Sequence, residues 1–250
     1  VVTGLRGFPN IQGGSETHCE KLYPRLVKLG LNVTIVRRSC FVKENPPLKT
    51  YQGVYFKDLP APKIKGVESA IHTILGVWYA CKQKADIIHI HAIGPSIAIP
   101  LAKLLGLKVV VTHHGPDYDR KNWNFLAKFI LKTGEFFAAK WADEIIVIST
   151  IIKNILKTKY NRDNTTLIYN GVDIYPPSSN DQYIKSLGLT RRKYILAVGR
   201  FVKEKEFDKL IQAFSDLNLL GYQLVIAGDS DHETSYSSYL KALAHKKQVI

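Results

Sequence analysis

The chain has 250 residues, 46% hydrophobic and 22% charged, enough apolar side chain for a buried core, which excludes disordered and collagen-like polypeptides. Thirty-five lysines and arginines against 21 aspartates and glutamates leave a formal charge of +14. That charge favours anionic partners such as phosphates, nucleic acid or an acidic membrane surface, and it says nothing about fold. Cys19, Cys40 and Cys81 show no CxxC spacing, so a reducing cytosol is expected and a disulfide framework is not. No apolar run has the length of a membrane-spanning helix, and the opening residues do not read as a signal peptide. Methionine is absent, the initiator included, and the chain is expected to be one domain and part of another.

Short β-branched runs alternate with longer helical stretches along the chain. Residues 1–3 read as the end of a strand. Gly13, Gly14, Ser15 and Glu16 open a helix to about residue 29, closed by Gly30. Residues 32–37 (NVTIVR) form a strand, a loop with Pro46 and Pro47 follows, and 53–58 form a short strand. A helix over 66–84 precedes the strand DIIHIH at 86–91, a helix over 95–105 and the strand KVVVTH at 108–113. Then come a helix over 123–141, the strand EIIVIS at 144–149, a helix over 150–159 and the strand TLIY at 166–169. Continuous apolar strands between helices imply a doubly wound parallel α/β sheet covered on both faces. The Pro- and Ser-rich stretch around 175–181 marks a linker, here bounded as 173–190 between a domain at 1–172 and an incomplete one at 191–250. In the latter, strands at 193–198 and 222–227 alternate with helices at 207–217 and 234–245, and a further strand is expected to begin at Val249.

Three loops at strand ends carry the chemistry. Gly4, Gly7, Gly13 and Gly14 lie between the first strand and first helix, where backbone amides and a helix N-terminus can approach a phosphate. Their spacing is neither GxGxxG nor a P-loop, which weakens a nicotinamide-cofactor reading. Arg37 and Arg38 keep that reading open by offering a 2′-phosphate site, and the bland alternative is a tight turn. His89 and His91 share one face of a strand. Without a third ligand at metal spacing, they read as packing histidines rather than a zinc site. His113, His114 and Asp117 lead into Tyr118, Asp119, Arg120, Lys121 and Trp123, a site composition at a strand end. Finally, Gly199, Arg200 and Lys205 follow a buried strand, where the two cations can converge on a diphosphate.

Taken together, GLRGFPNIQGGSET (4–17), DIIHIH (86–91), HGPDYDRKNW (114–123), ADEIIVIS (142–149), IYNGVD (168–173) and VGRFVKEK (198–205) resemble the family 4 glycosyltransferases of the two-domain GT-B fold. RGFPxxxGGxET with HGxDxxRxxW looks most like the branch that builds bacterial capsule, O-antigen and related exopolysaccharides. The resemblance implies sugar transfer with retention from a nucleoside-diphosphate sugar to a glycan or lipid-linked acceptor, with no cofactor and no metal. By it, Arg200 and Lys205 hold the pyrophosphate beside Gly199, Gly13 and Gly14 border the donor phosphates and sugar, and His114 touches the donor sugar as the catalytic contact. Asn170 lines the interdomain passage, while Asp117, Arg120 and Trp123 stand on the acceptor side. Two departures follow. Glu206 replaces the glycine common after the lysine, and the family's Glu-x7-Glu motif is expected beyond Ile250.

Competing classes are an NADP-dependent oxidoreductase, a metal hydrolase using His89, His91 and His113, and a non-catalytic nucleotide-binding or membrane-surface module. Nucleic acid is not expected as a partner, since the basic residues are dispersed and no recognised motif occurs. Lys63, Lys65, Lys82, Lys153, Lys157, Lys159 and Arg162 accompany Trp78 and Tyr79, a pattern suited either to an anionic membrane surface or to ordinary solvated helix faces. The implied location is cytoplasmic, peripheral on the inner membrane face.

Overall fold

The computed structural model describes residues 1–62, 67–119, 125–176, 178–230, 233–246 and 249. The chain divides into two compact units, Val1–Val172 and Asp173–Ile250.

In the first unit, β1 (Val2–Thr3), β2 (Thr34–Arg38), β3 (Thr50–Tyr51), β4 (Val54–Leu59), β5 (Ile87–His91), β6 (Lys108–His113), β7 (Glu144–Val147) and β8 (Thr166–Leu167) form one sheet. Their order is β3-β4-β2-β1-β5-β6-β7-β8, and every pairing except the β3–β4 hairpin is parallel. Parallel neighbours need crossovers. These contain α1 (Gly14–Lys28), α2 (Val67–Lys82), α3 (Ile99–Leu104), α4 (Phe125–Trp141) and α5 (Thr150–Tyr160).

Alternation along each strand assigns its two faces. Ile88, Ile90, Val109 and Val111 pack in one core with Val77 and Ala80 of α2, Ala102 of α3 and Ala138 and Ala139 of α4. Small residues let α4 come close. At Gly134 a Cβ would strike the carbonyl oxygen of Ile93 in the loop after β5. The other face buries Val2, Ile35 and Val54 against Cys19 and Tyr23 of α1. α5 starts cleanly, with the Ser149 hydroxyl accepting the Ile152 N–H at 3.3 Å, and ends on Asn161 in the left-handed region.

Two local features depart from the sequence reading. The 95–105 segment opens as a 3-10 turn (Pro95–Ala98), in which the Ile99 N–H reaches back to Ser96. Pro100 has no N–H for that carbonyl, so the tighter turn supplies the bond. β3 was not expected. It hairpins onto β4 through Gln52 and Gly53, both at positive φ, a turn whose usual Asn-Gly signature is missing. The α4 helix is described from Phe125, so its expected start at Trp123 lies outside the described residues.

In the second unit, β9 (Tyr194–Val198) and β10 (Gln223–Ala227) pair in parallel, with α6 (Gln182–Ser186), α7 (Phe207–Leu217) and α8 (Ser235–Lys246) around them. α6 lies inside the stretch taken as a linker. Phe207 and Ile211 of α7 meet Phe201, Leu224 and Leu240 in a small core, flanked by Leu210 and Phe214 at helical spacing. The Val249 N–H bonds the Ala244 carbonyl, and the residues on either side of Val249 lie outside the described set.

Candidate functional site

From β1 the sheet runs outward through β2 and β4, and from β5 it runs the other way through β6 and β7. Strand order therefore reverses between β1 and β5, and α/β sheets bind ligands outside the carboxyl ends of such a pair.

The loop after β1 is built against protein, not solvent. Gly4 has φ 96°, and a side chain there would collide with the His91 carbonyl at the end of β5. Gly7 makes room for the aliphatic part of Arg37. The fully buried Arg37 guanidinium grips Asp58 in a fork at 2.7 and 2.9 Å. It also reaches the Phe8 and Leu48 carbonyls and lies over the Phe56 ring. Arg38 donates to Glu68 and Ser69, each at 3.0 Å, and to the Gly4 carbonyl. This corrects the 2′-phosphate reading: both arginines are committed inward, bracing the glycine loop from beneath.

Gly13 caps α1 without a side-chain bond, and Gly14 faces open space. Glu16, in the first turn, folds back so that its carboxylate accepts the Arg6 N–H at 3.1 Å and lies where a Gly13 side chain would go. The remaining rim of this helix N-terminus is half-buried or exposed.

Beside it runs a line of histidines that the sequence analysis did not connect. His89 and His91 stack with ring centroids 4.3 Å apart, and His91 stacks on His114 at 5.2 Å. The Tyr23 hydroxyl lies 2.9 Å from His89 Nδ1 and 2.5 Å from His91 Nε2. Thr112 bonds His89 Nε2 at 2.8 Å, and His91 Nδ1 lies 2.9 Å from His114 Nε2. His18 of α1 meets His114 edge to face at 5.7 Å. Burial drives these rings neutral, with neighbouring histidines adding to it: His114 falls to about 4, His89 to about 3, and His91 well below its ordinary value. HxH spacing signalled the shared face, but nothing in the sequence placed Tyr23 over it.

His113 points the opposite way, because β6 alternates. Its Nε2 lies 3.0 Å from Glu135 of α4, both side chains buried. Glu135 also accepts from Lys159 and Tyr160, each at 2.6 Å, and from Tyr118 at 3.1 Å. Burial alone would raise its pKa, yet the bonds from His113, Lys159 and Tyr160 bring it down to about 2. His89, His91 and His113 thus do not converge. No group of three or more metal-ligating side chains is arranged to hold an ion among the described residues.

Of the predicted acceptor-side residues, Asp117 lies half-buried in a 3-10 turn (Asp117–Asp119), while Arg120 and Trp123 lie outside the described residues. Asn170 is exposed after β8. In the second unit, Arg200 and Lys205 are exposed on the loop after β9, and the Lys205 side chain passes beside Gly199. The Gly199 N–H bonds Ala227 at 3.0 Å, and Gly228 lets the loops after β9 and β10 touch. Glu206 turns its carboxylate to Lys209 at 2.7 Å.

Residues 12–175 match the sequence model described as Glycosyltransferase Family 4. The chain belongs to the family 4 glycosyltransferases. Residues 179–250 of this family 4 member match the model described as Glycosyl transferases group 1. It is 30% identical over 146 residues to the alpha-1,3/1,6-mannosyltransferase ALG2 of Candida glabrata, covering 54% of this chain and 32% of that one. It is 28% identical over 173 residues to the glycosyltransferase YqgM of Bacillus subtilis, covering 67% and 46%. The chain thus spans a third to a half of the length of these curated relatives. The sucrose-phosphate synthase of Thermosynechococcus elongatus superposes with a TM-score of 0.78 at 19% identity, covering 99% of this chain and 67% of that one. HepE of Anabaena in complex with UDP gives 0.70 at 15%, covering 97% and 65%. These likenesses assign the GT-B fold class.

Proposed function

We propose that this family 4 member transfers a hexose from a nucleoside-diphosphate sugar to a glycan or lipid-linked acceptor, with retention, in surface polysaccharide synthesis. The observation that carries the reading is the meeting of His18 and His114, which brings α1 and the loop after β6 together beside the strand reversal. In this reading His114 touches the donor sugar, and Gly13 and Gly14 border it. The first unit receives the acceptor through Asp117, Arg120 and Trp123, while Asn170 contacts the donor. Arg200 and Lys205 stabilise the departing diphosphate as the bond from the anomeric carbon breaks and the acceptor oxygen bonds on the same face. Support comes from the mannosyltransferase relative and from HepE in complex with UDP and glucose. Glu206, next to Lys205, has its charge met by Lys209.

The test uses the intact protein with UDP and GDP sugars. Arg200→Ala and Lys205→Ala are expected to weaken nucleoside-diphosphate binding and to slow transfer by on the order of 10²–10³. Unchanged affinity and rate in both variants would remove the assignment, and inversion at the product's anomeric carbon would remove retention.

Attraction to an anionic membrane surface belongs to the same reading. Of the basic residues first considered, Lys159 and Arg162 are bonded internally, Lys157 pairs with Asp163, and Lys63 and Lys65 lie outside the described residues. The support is α2, where Ile71, Ile74 and Trp78 form an exposed stripe ending at Lys82. No helix among the described residues is long and apolar enough to cross a membrane. Vesicle co-sedimentation that ignores anionic lipid content would overturn this part.

A further inference from the structure

Four contacts join five side chains in a line from the sheet to the crevice: Thr112 to His89 at 2.8 Å, His89 to Tyr23 at 2.9 Å, Tyr23 to His91 at 2.5 Å, and His91 to His114 at 2.9 Å. A neutral imidazole carries one N–H and one bare nitrogen, and a phenol carries one proton. The line therefore closes in only two ways. In one, Thr112 donates to His89 Nε2, His89 Nδ1–H donates to Tyr23, Tyr23 donates to His91 Nε2, and His91 Nδ1–H donates to His114 Nε2. In the other, every donor and acceptor is exchanged.

The distances favour the first. Hydroxyl donors make shorter bonds than N–H donors. The first arrangement gives the 2.5 and 2.8 Å contacts to O–H donors and the 2.9 Å His89–Tyr23 contact to an N–H donor, while His91–His114 has an N–H donor in both. The second would ask an imidazole N–H to span the shortest contact and the phenol to span a longer one. The Cys19 thiol, 3.6 Å from His91 Nε2, is a weak partner that does not compete.

We propose that Tyr23 and His91 are positioning residues that hold His114 as the neutral Nδ1–H tautomer, so that the nitrogen it offers the crevice is a hydrogen-bond donor to an oxygen of the bound ligand. His114 Nδ1 has no partner among the described residues. A proton fixed there cannot be replaced by one taken from substrate, so His114 orients and polarises a sugar hydroxyl or phosphate oxygen and is not a general base. The low pKa values of the three rings keep each of them at the single proton this count requires. The identity of the ligand rests on the sugar-donor reading, whereas the proton arrangement does not.

The experiment is long-range ¹H–¹⁵N correlation of the histidine rings in the intact protein near neutral pH. His89, His91 and His114 are all expected as Nδ1–H, the less populated form of free histidine. A wild-type His114 protonated at Nε2 overturns the proposal without any variant. In Tyr23→Phe the proton between His89 and His91 is gone, so His114 is expected to shift at least half its population to Nε2–H, with kcat/KM about tenfold lower. An unmoved tautomer overturns the role of Tyr23. Titration with UDP- and GDP-sugars separates the two readings. Movement of the His114 Nδ1 signal supports both. Correct tautomers with no movement uphold the proton arrangement and remove the sugar donor.

Discussion

His113 and Glu135 meet at 3.0 Å with neither side chain exposed, tying the end of β6 to α4. Lys159, Tyr160 and Tyr118 converge on the same carboxylate. Truncating it leaves a lysine and three polar groups without their acceptor, a loss of about 3–5 kcal/mol. Urea denaturation of Glu135→Ala should show that deficit. Glu135→Gln, which retains one carbonyl acceptor, should recover part of it. A variant as stable as the wild type would mean that the cluster does not brace the fold.

Acid should weaken the first unit in two stages. His72 and His114 are depressed to about 4 and His89 to about 3, burial being the largest cause in each. A histidine depressed below its unfolded value of 6.5 is protonated first in the unfolded chain, so its contribution is whole above 6.5 and is lost as the pH falls toward the folded value. At pH 5.5 the loss is about 1.4 kcal/mol per such histidine. Glu135 adds a second stage, from its ordinary 4.5 down to about 2. The unfolding midpoint in urea, followed from pH 7.5 to 5, should drop, and His72→Phe should flatten the drop. A wild-type midpoint constant over that interval would contradict the neutral histidines.

Glu206 sits at φ 50°, in the left-handed region where side chains are strained. Glycine there removes roughly 1 kcal/mol of strain, partly offset by its freedom in the unfolded chain. The exposed pair with Lys209 is screened and its loss costs little. Glu206→Gly should therefore unfold a few degrees higher in calorimetry. A lower Tm would show that the carboxylate matters more than the backbone.

Gly134 is the reverse case. Its added methyl meets backbone, the Ile93 carbonyl, which cannot swing aside. Gly134→Ala gains helix propensity yet forces α4 off the loop after β5, an overpacking cost of about 1–3 kcal/mol. Chemical denaturation should report a net loss, and a net gain would place the helix farther from the loop than described.

The parallel architecture was legible because its strands are continuous apolar runs separated by helical spacing, as in residues 108–113 and 144–149. Elements with no such pattern escaped: β3 has only two residues, and α6 is a single short helix inside a Pro- and Ser-rich stretch. His114 was legible as a candidate because polar groups interrupt the apolar run at the end of β6, whereas His91 read as a packing histidine. Tyr23 was not found. It looks like any core aromatic of an amphipathic helix, and only the packing of α1 against the sheet brings its hydroxyl between His89 and His91. Arg37 and Arg38 were legible as cations but not as structural ones, since Asp58 and Glu68 reach them from other elements.

The loops after β1 and β6 each have their own anchor on the protein side: Arg37 with Asp58 under the first, and Glu135 under the second. Substitutions at Gln12, Gly14 or Asp119, all exposed, therefore alter the rim without touching either anchor. Rim and support are separable in this unit, so an engineer can randomise the rim while leaving both anchors intact.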